Sequence, residues 1–148
     1  TVMSGRGMEG GIKAAKQKHN VVMTPTSHMY LDYYQAHEET EPLAIGGFSS
    51  LEEVYHFEPV PEELTAEESQ YIVGAQGNVW TEYMHSGDKV EYMAYPRASA
   101  IAEVTWSPKS KRNWTHFWRR LQTHFKRFDV MNVNAAEHYH NRMPQFSE

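Results

Sequence analysis

A short run of β-branched residues near the start of the chain limits the fold more than any other feature. Residues 20–24 read Asn-Val-Val-Met-Thr, and Pro25 ends the run. The three central residues are all apolar, so apolar and polar residues do not alternate there. A strand of this kind is buried on both faces, as in parallel sheets that helices cover on each side. Short β-prone segments at residues 1–4 and 74–80 supply two further strands. The sequence therefore predicts an α/β fold built from parallel strand–helix units.

Helical segments alternate with these strands. The predicted helices cover residues 10–19, 51–55, 65 to about 73, 90–104 and 113–128. Thr65 is the expected N-cap of the third, and an acidic first turn follows it. Pro96 predicts a kink or a late start in the fourth. The connection between the second strand and Thr65 is much longer than the usual loop of about 2–6 residues. Long loops after strands are where α/β enzymes hold functional side chains.

Length and composition exclude several classes of protein. The chain has 148 residues, the length of one ordinary domain, and no run approaches the roughly 18 apolar residues of a membrane-spanning helix. It has no cysteine, which excludes disulfides, thiolate metal sites and thiol nucleophiles. It begins Thr-Val-Met-Ser-Gly-Arg-Gly, without an initiator Met or the layout of a signal peptide. We therefore expect it to be processed or excised from a longer polypeptide.

The charge is unevenly distributed. Residues 1–106 carry 6 Lys and Arg against 16 Asp and Glu, a net charge of −10, whereas residues 107–148 carry 8 against 3, a net charge of +5. The acidic part argues against a nucleic-acid surface. In the basic part, large apolar residues recur at helical spacing between Trp114 and Phe128. A nucleic-acid platform exposes its aromatic side chains, whereas a single helical stripe is typical of a core face, which we predict here.

The nine histidines do not form a convincing metal site. His138 and His140 make an HxH pair, but no third ligand has suitable spacing and no His-Glu-x-x-His motif occurs. The sequence predicts neither a metal nor another cofactor. Arg97 and Glu103, on the helix after the third strand, are predicted to form a structural ion pair rather than to act in catalysis.

Aromatic and acidic residues follow two of the predicted strands. Tyr30 and Asp32 come after the second strand, and Trp80 and Glu82 come after the third. Residues two apart in extended backbone project from one face. An indole stacks on the C–H face of a sugar ring and carboxylates accept hydrogen bonds from hydroxyls, so these residues suit a neutral polyol. An aromatic loop that packs on its neighbours gives the same spacing after the second strand.

Several ordered segments resemble the β-N-acetylhexosaminidases of glycoside hydrolase family 20, most closely the bacterial members. The resemblance extends to about Val133 and is carried by VMTP (22–25), YLDYYQ (30–35), AIGGF (44–48), YxFEPVP (55–61), GAQGNVWTE (74–82), YPRA (95–98) and AEVxWS (102–107).

This resemblance implies a (β/α)8 barrel of which the chain supplies strands six to eight. Residues 1–130 would be the partial catalytic domain, and residues 131–148 a C-terminal tail. Family members use substrate-assisted retaining catalysis, in which the sugar's 2-acetamido oxygen attacks C1. An adjacent Asp-Glu pair drives that reaction, and this sequence contains no Asp-Glu dipeptide. We therefore expect the chain alone to be inactive. The open alternative is a non-catalytic sugar-binding or structural fragment.

The resemblance also implies roles for individual residues. Tyr30 would donate its hydroxyl proton to the acetamido oxygen, Asp32 and Glu82 would accept hydrogen bonds from sugar hydroxyls, and Trp80 would form one side of the acetamido pocket. Family members usually have Trp-Arg-Gly where this chain reads Gly5-Arg6-Gly7. Loss of that indole would weaken the grip on the acetamido group by about 2–4 kcal/mol.

The expected partners follow from the same resemblance. They are glycans that end in N-acetylhexosamine, with neither nucleic acid nor a membrane span involved. Three parallel strands leave two unpaired sheet edges, so we expect self-association or a companion N-terminal part of the barrel. The resemblance implies a periplasmic or secreted location.

Overall fold

The computed structural model describes residues 1–141, in which three strands form one parallel sheet. The strands are β1 (Val2–Ser4), β2 (Val21–Met23) and β3 (Ile72–Ala75), in the order β1-β2-β3. Val21 on the central strand pairs with Val2 on one side and with Ile72 on the other. The predicted α/β class and parallel pairing are confirmed.

Seven helices surround this sheet in the described residues. They are α1 (Glu9–Lys16), α2 (Thr26–Met29), α3 (Leu51–His56), α4 (Ala66–Ser69), α5 (Gly87–Ala94), α6 (Arg97–Trp106) and α7 (Trp114–Met131). Two 3-10 turns lie at Glu38–Thr40 and Lys109–Lys111. No helix in the described part is both long and apolar enough to cross a membrane.

The predicted boundary between the third helix and the third strand is wrong. Thr65 caps α4 as expected, with Glu68 completing a reciprocal capping box, but the helix ends at Ser69. β3 then begins at Ile72, because the backbone N–H of Val21 bonds to the Tyr71 carbonyl and draws this segment into the sheet. Pairing with β2 therefore overrides the local helical tendency.

Pro96 divides the predicted helix at residues 90–104. Ser86 caps α5, which ends at Ala94, and Pro96 is the N-cap of α6. Proline has no backbone N–H to continue a helix but is well tolerated where one starts. The expected late start is thus found, with an additional helix before it.

The main core lies between the sheet and helices α1, α3, α6 and α7. Val21 and Met23 of β2 are fully buried on one face of the sheet, whereas Val22, which points to the other face, is only half-buried. The predicted burial on both faces therefore holds for one face only. The stripe of α7 also faces this core, through Trp114, Phe117, Leu121, Phe125 and Phe128. The prediction that these side chains form a core face, rather than an exposed platform, is confirmed.

The segment after α7 folds back on the helical layer. Asn132 ends α7 in a left-handed conformation, and the Ala136 N–H donates to the Tyr95 carbonyl. Tyr139 packs edge-on against Trp114, with 6.1 Å between ring centroids. Of the predicted tail, residues 142–148 lie outside the described residues.

Candidate functional site

The carboxyl ends of the three strands meet at one edge of the sheet. The Thr24 N–H donates to the Ser4 carbonyl, and the Gln76 N–H donates to the Met23 carbonyl. The backbone of Gly5 continues the same network, because its carbonyl accepts from the Thr26 N–H at 2.9 Å. Side chains that follow the strands therefore converge at this edge, where parallel α/β folds place ligand sites.

Asn78 joins the loop after β2 to the segment after β3. Its backbone N–H donates to the Met29 carbonyl at 2.7 Å, and its carbonyl accepts from the Leu31 N–H at 2.8 Å. Its buried side-chain amide donates to the Thr24 hydroxyl oxygen at 2.6 Å. These bonds place Tyr30, between the two bonded positions, beside the end of β3. Sequence reasoning missed Asn78, although a polar amide in the segment GAQGNVW was a usable signal.

Tyr30 and Trp80 form an aromatic surface at this edge. Their ring centroids are 6.4 Å apart, and Tyr33 lies 5.6 Å from Tyr30 on the other side. Trp80 keeps 51% of its surface exposed, so the indole is accessible to a ligand. Two of the four predicted site residues are therefore in contact across two strands.

The two carboxylates occupy different environments. The predicted extended geometry for residues 30–32 is wrong, because a turn in which the Tyr33 N–H donates to the Tyr30 carbonyl follows Tyr30. Asp32 is consequently buried, whereas Glu82 is exposed. Asp32 and Trp80 nevertheless line the same small cavity. The four predicted residues thus lie at one edge of the sheet, at different depths.

Electrostatics distinguish Asp32 from a surface carboxylate. Burial raises the pKa of Asp32, and the Glu82 carboxylate raises it further. A hydrogen bond from its own backbone and the Arg97 guanidinium oppose the rise. Its Oδ1 atom is buried and has no hydrogen-bond partner in the described part of the chain. That oxygen can accept a hydrogen bond from a ligand hydroxyl that reaches it.

Arg97 anchors the loop beneath these residues. Its fully buried guanidinium donates to the backbone carbonyls of Leu31 (2.6 Å), Tyr33 (3.1 Å), Ser49 (2.8 Å) and Met93 (2.6 Å). Burial lowers the pKa of Arg97 to about 10. The fork of the guanidinium thus supports the backbone on both sides of Asp32, which a single ammonium group does not do.

The predicted ion pair between Arg97 and Glu103 is wrong. Glu103 instead pairs with Arg120 and accepts a hydrogen bond from the Tyr55 hydroxyl at 3.1 Å. Arg97 is the first residue of α6 and Glu103 lies almost two turns later, so the two side chains leave the helix at different levels. Both residues are structural, but in separate places.

Gly5 lies directly beside the aromatic surface. A Cβ atom added there would be 3.4 Å from the Tyr30 hydroxyl oxygen, an ordinary contact distance. The backbone at Gly5 is outside the left-handed region, so the local conformation does not require a glycine. The position therefore has room for a Cβ atom at the same edge as Tyr30.

The histidine pair takes structural positions. His138 Nε2 bonds to Glu41, and His140 stacks on Phe125 with 4.8 Å between centroids. Within residues 1–141, no group of three or more His, Cys, Asp or Glu side chains is arranged to hold a metal ion.

Comparison with known proteins identifies the family. The sequence profile for the catalytic domain of glycosyl hydrolase family 20 matches residues 1–109. The chain belongs to glycosyl hydrolase family 20. The resemblance seen in the sequence motifs is thereby confirmed, although the profile stops short of Val133.

Curated family 20 relatives match most of this chain. The beta-hexosaminidase of Porphyromonas gingivalis is 46% identical over 146 residues, which cover 98% of this chain and 18% of that protein. The beta-hexosaminidase of Akkermansia muciniphila is 32% identical over 84% of this chain and 26% of its own length. The chain thus spans well under a third of these family 20 proteins.

Solved family 20 structures have the same fold over the matched part. A GH20 exo-beta-N-acetylglucosaminidase from Vibrio harveyi, in complex with N-acetylglucosamine, aligns with a TM-score of 0.79 and 30% identity. The alignment covers 90% of this chain and 21% of that one.

Proposed function

We propose that this chain is the part of a family 20 (β/α)8 barrel that contributes strands six to eight and one wall of the sugar pocket. The longer protein would release terminal N-acetylglucosamine or N-acetylgalactosamine from glycans, by substrate-assisted catalysis with retention. The observation that carries the proposal is the convergence of Tyr30, Asp32, Trp80 and Glu82 at the carboxyl edge of a parallel sheet.

The chemistry of each side chain supports a holding role. The exposed indole of Trp80 offers an apolar face to a sugar or its acetamido methyl group, and the neighbouring Tyr30 hydroxyl can donate to the acetamido oxygen. Asp32 and Glu82 would accept hydrogen bonds from sugar hydroxyls. Gly5 has no side chain to occupy the space next to the Tyr30 hydroxyl.

Catalysis would need residues from outside this sequence. No Asp-Glu dipeptide occurs in it, so no adjacent pair can orient the acetamido group and protonate the leaving oxygen. We therefore expect no turnover of a chromogenic N-acetylglucosaminide by the chain alone. Turnover that Tyr30→Phe abolishes would contradict this expectation.

Sugar binding can be measured on the chain itself. We expect calorimetry with millimolar N-acetylglucosamine to detect weak binding that Trp80→Ala removes. Trp106→Ala is the matched control, since Trp106 is 90% exposed on α6 and outside the site. If the unsubstituted chain gives no measurable heat of binding with N-acetylglucosamine, the proposed role in sugar binding is refuted. Equal loss with both variants would refute the assignment to Trp80.

The open sheet edges support a companion. In the described residues β1 and β3 each pair on one side only, and Met3 and Val73 on these strands are 53% and 57% exposed. Unpaired parallel strands with exposed apolar residues favour association. We propose that this chain assembles with the N-terminal part of the barrel, or with itself where that part is missing. A monodisperse 17.2 kDa monomer in size-exclusion chromatography with intact mass would refute self-association.

The alternative function is a non-catalytic sugar-binding or structural fragment. The absence of the Asp-Glu pair favours it for this exact polypeptide. Adding a separately produced N-terminal part of a family 20 barrel distinguishes the two. Recovery of hydrolysis that depends on Tyr30 supports the enzyme, and continued inactivity of a stable complex supports the alternative.

A further inference from the structure

A buried carboxylate joins three distant parts of the chain. Glu41 lies in the connection between β2 and α3, and its side chain has no exposed surface. Its Oε1 atom accepts a hydrogen bond from the Tyr92 hydroxyl of α5 at 2.9 Å. The same oxygen contacts Nε2 of His138, in the segment after α7, at 2.5 Å. The bonds from Tyr92 and His138 to Glu41 are called the clamp below.

Hydrogen-bond donors and cationic side chains surround the Glu41 carboxyl group. A buried carboxylate is costly unless charges and hydrogen bonds compensate it. Besides the two bonds of the clamp, Glu41 interacts electrostatically with Lys89 and Arg97, and its charge raises the pKa of both, against the lowering by burial. Burial and the bond to Glu41 raise the pKa of Tyr92, so that hydroxyl stays protonated and continues to donate.

The clamp has spare hydrogen-bonding capacity. Within residues 1–141, Glu41 Oε2, Lys89 Nζ and His138 Nδ1 are buried without hydrogen-bond partners. One oxygen of Glu41 therefore carries both bonds of the clamp. Removing one of the two donors consequently removes half of the hydrogen bonding at a buried charge, which is a large perturbation.

The residues just after Glu41 border the candidate sugar site. Residues 43–45, called the wall below, line the same narrow crevice as Asp32 and Trp80. Two of the three wall residues have little packing of their own, since Leu43 is 67% and Ile45 is 48% exposed. The Ala44 N–H donates to the Tyr34 hydroxyl at 3.2 Å, which holds the middle of the wall. Glu41 is the nearest buried anchor before the wall.

We propose that His138 and Tyr92 are positioning residues that hold the wall in place through Glu41. The effect of this positioning on ligand binding rests on the sugar site proposed above. His138 lies outside residues 1–109, which the family profile matches, so a residue beyond the profile shapes the edge of the site.

Hydrogen–deuterium exchange of the full chain tests the clamp. We expect His138→Leu, which removes the donor, to speed exchange at the wall amides about tenfold or more. His138→Gln retains a side-chain N–H donor and should restore most of the protection. His116→Leu is the matched control, because His116 is exposed near the start of α7 and outside the clamp. The buried part of α7 should exchange alike in all variants.

Several results would overturn the clamp. One such result is an unchanged rate of hydrogen–deuterium exchange at the wall amides in His138→Leu. A parallel rise in α7 would also do so, since it indicates general destabilisation. An equal rise in His138→Gln would show that the bond itself is not what matters.

A sugar titration separates the clamp from the proposed function. We follow the indole N–H signal of Trp80 by NMR during addition of N-acetylglucosamine, and we expect His138→Leu to weaken binding about threefold or more. An unchanged affinity despite a loosened wall would refute the link between wall and site. No sugar-induced shift in the unsubstituted chain would refute the sugar site, while the exchange result would still decide whether the clamp exists.

Discussion

Replacing Arg97 should be among the most damaging single changes in this fold. The Arg97→Met variant keeps an unbranched side chain of similar reach but removes every donor of the guanidinium. The backbone carbonyls of Leu31, Tyr33, Ser49 and Met93 then lose their bonds to this fully buried side chain. An unpaired buried polar group costs far more than its net contribution when paired.

The magnitude follows from the number of bonds and from the cost of the charge. Hydrogen bonds to a charged donor contribute about 1.5–3 kcal/mol each, so four independent bonds would exceed the whole stability of many domains. They are not independent, and Arg97→Met also removes the cost of burying a charge. Each backbone carbonyl that is left buried without a donor costs about 1–3 kcal/mol, and the relief of the buried charge offsets part of the total. We therefore expect the free energy of unfolding to fall by about 4 kcal/mol.

Urea unfolding followed by far-UV circular dichroism measures this change. Arg97→Lys keeps the charge but not the planar fork, and we expect it to recover less than half of the loss. Arg119→Met, at an exposed position on α7, should change stability by no more than about 0.5 kcal/mol. A loss below about 1 kcal/mol in Arg97→Met, with an unchanged slope, would refute the reasoning.

Three further predictions concern pH, capping and burial. The pKa of Asp32 is raised in the folded state, so its protonated form favours folding and that contribution is lost as pH rises from below 3.8 through the folded-state pKa. As pH rises over that window, the free energy of unfolding of Asp32→Asn should therefore increase relative to that of the unsubstituted chain. Urea unfolding at a series of pH values measures this difference, and a difference that stays constant would contradict the pKa shift. Asn113→Ala removes the side-chain cap that accepts from the His116 N–H and should cost about 1 kcal/mol by the same assay, whereas Asn113→Ser should retain most of it. Phe117→Ala, which opens a cavity in the aromatic face of α7, should cost about 3–5 kcal/mol by the same assay, and a loss under 1 kcal/mol would show that the face is not tightly packed.

Much of the fold could be predicted because the signals are local. The apolar residues of β2 predicted a buried strand, of which one face is fully buried, and the pattern of α7 predicted which side its aromatic residues face. Thr65 correctly marked the start of α4. The length of that helix could not be predicted in the same way. The last residues of the predicted helix instead belong to β3, because they pair with β2. Residues that favour a helix only weakly follow whichever partner offers the better set of hydrogen bonds.

The sequence by itself determined that Tyr30 and Trp80 follow neighbouring parallel strands, and parallel strands bring such residues to one edge. Only the tertiary structure decided that Asp32 is buried while Glu82 is exposed, since a turn that spacing did not reveal follows Tyr30. It alone also decided what Arg97 and Glu41 bind. Their partners include a backbone carbonyl 66 residues away from Arg97 and a histidine 97 residues away from Glu41. Which buried groups lack a partner depends on how distant segments pack, and local sequence pattern does not contain that information.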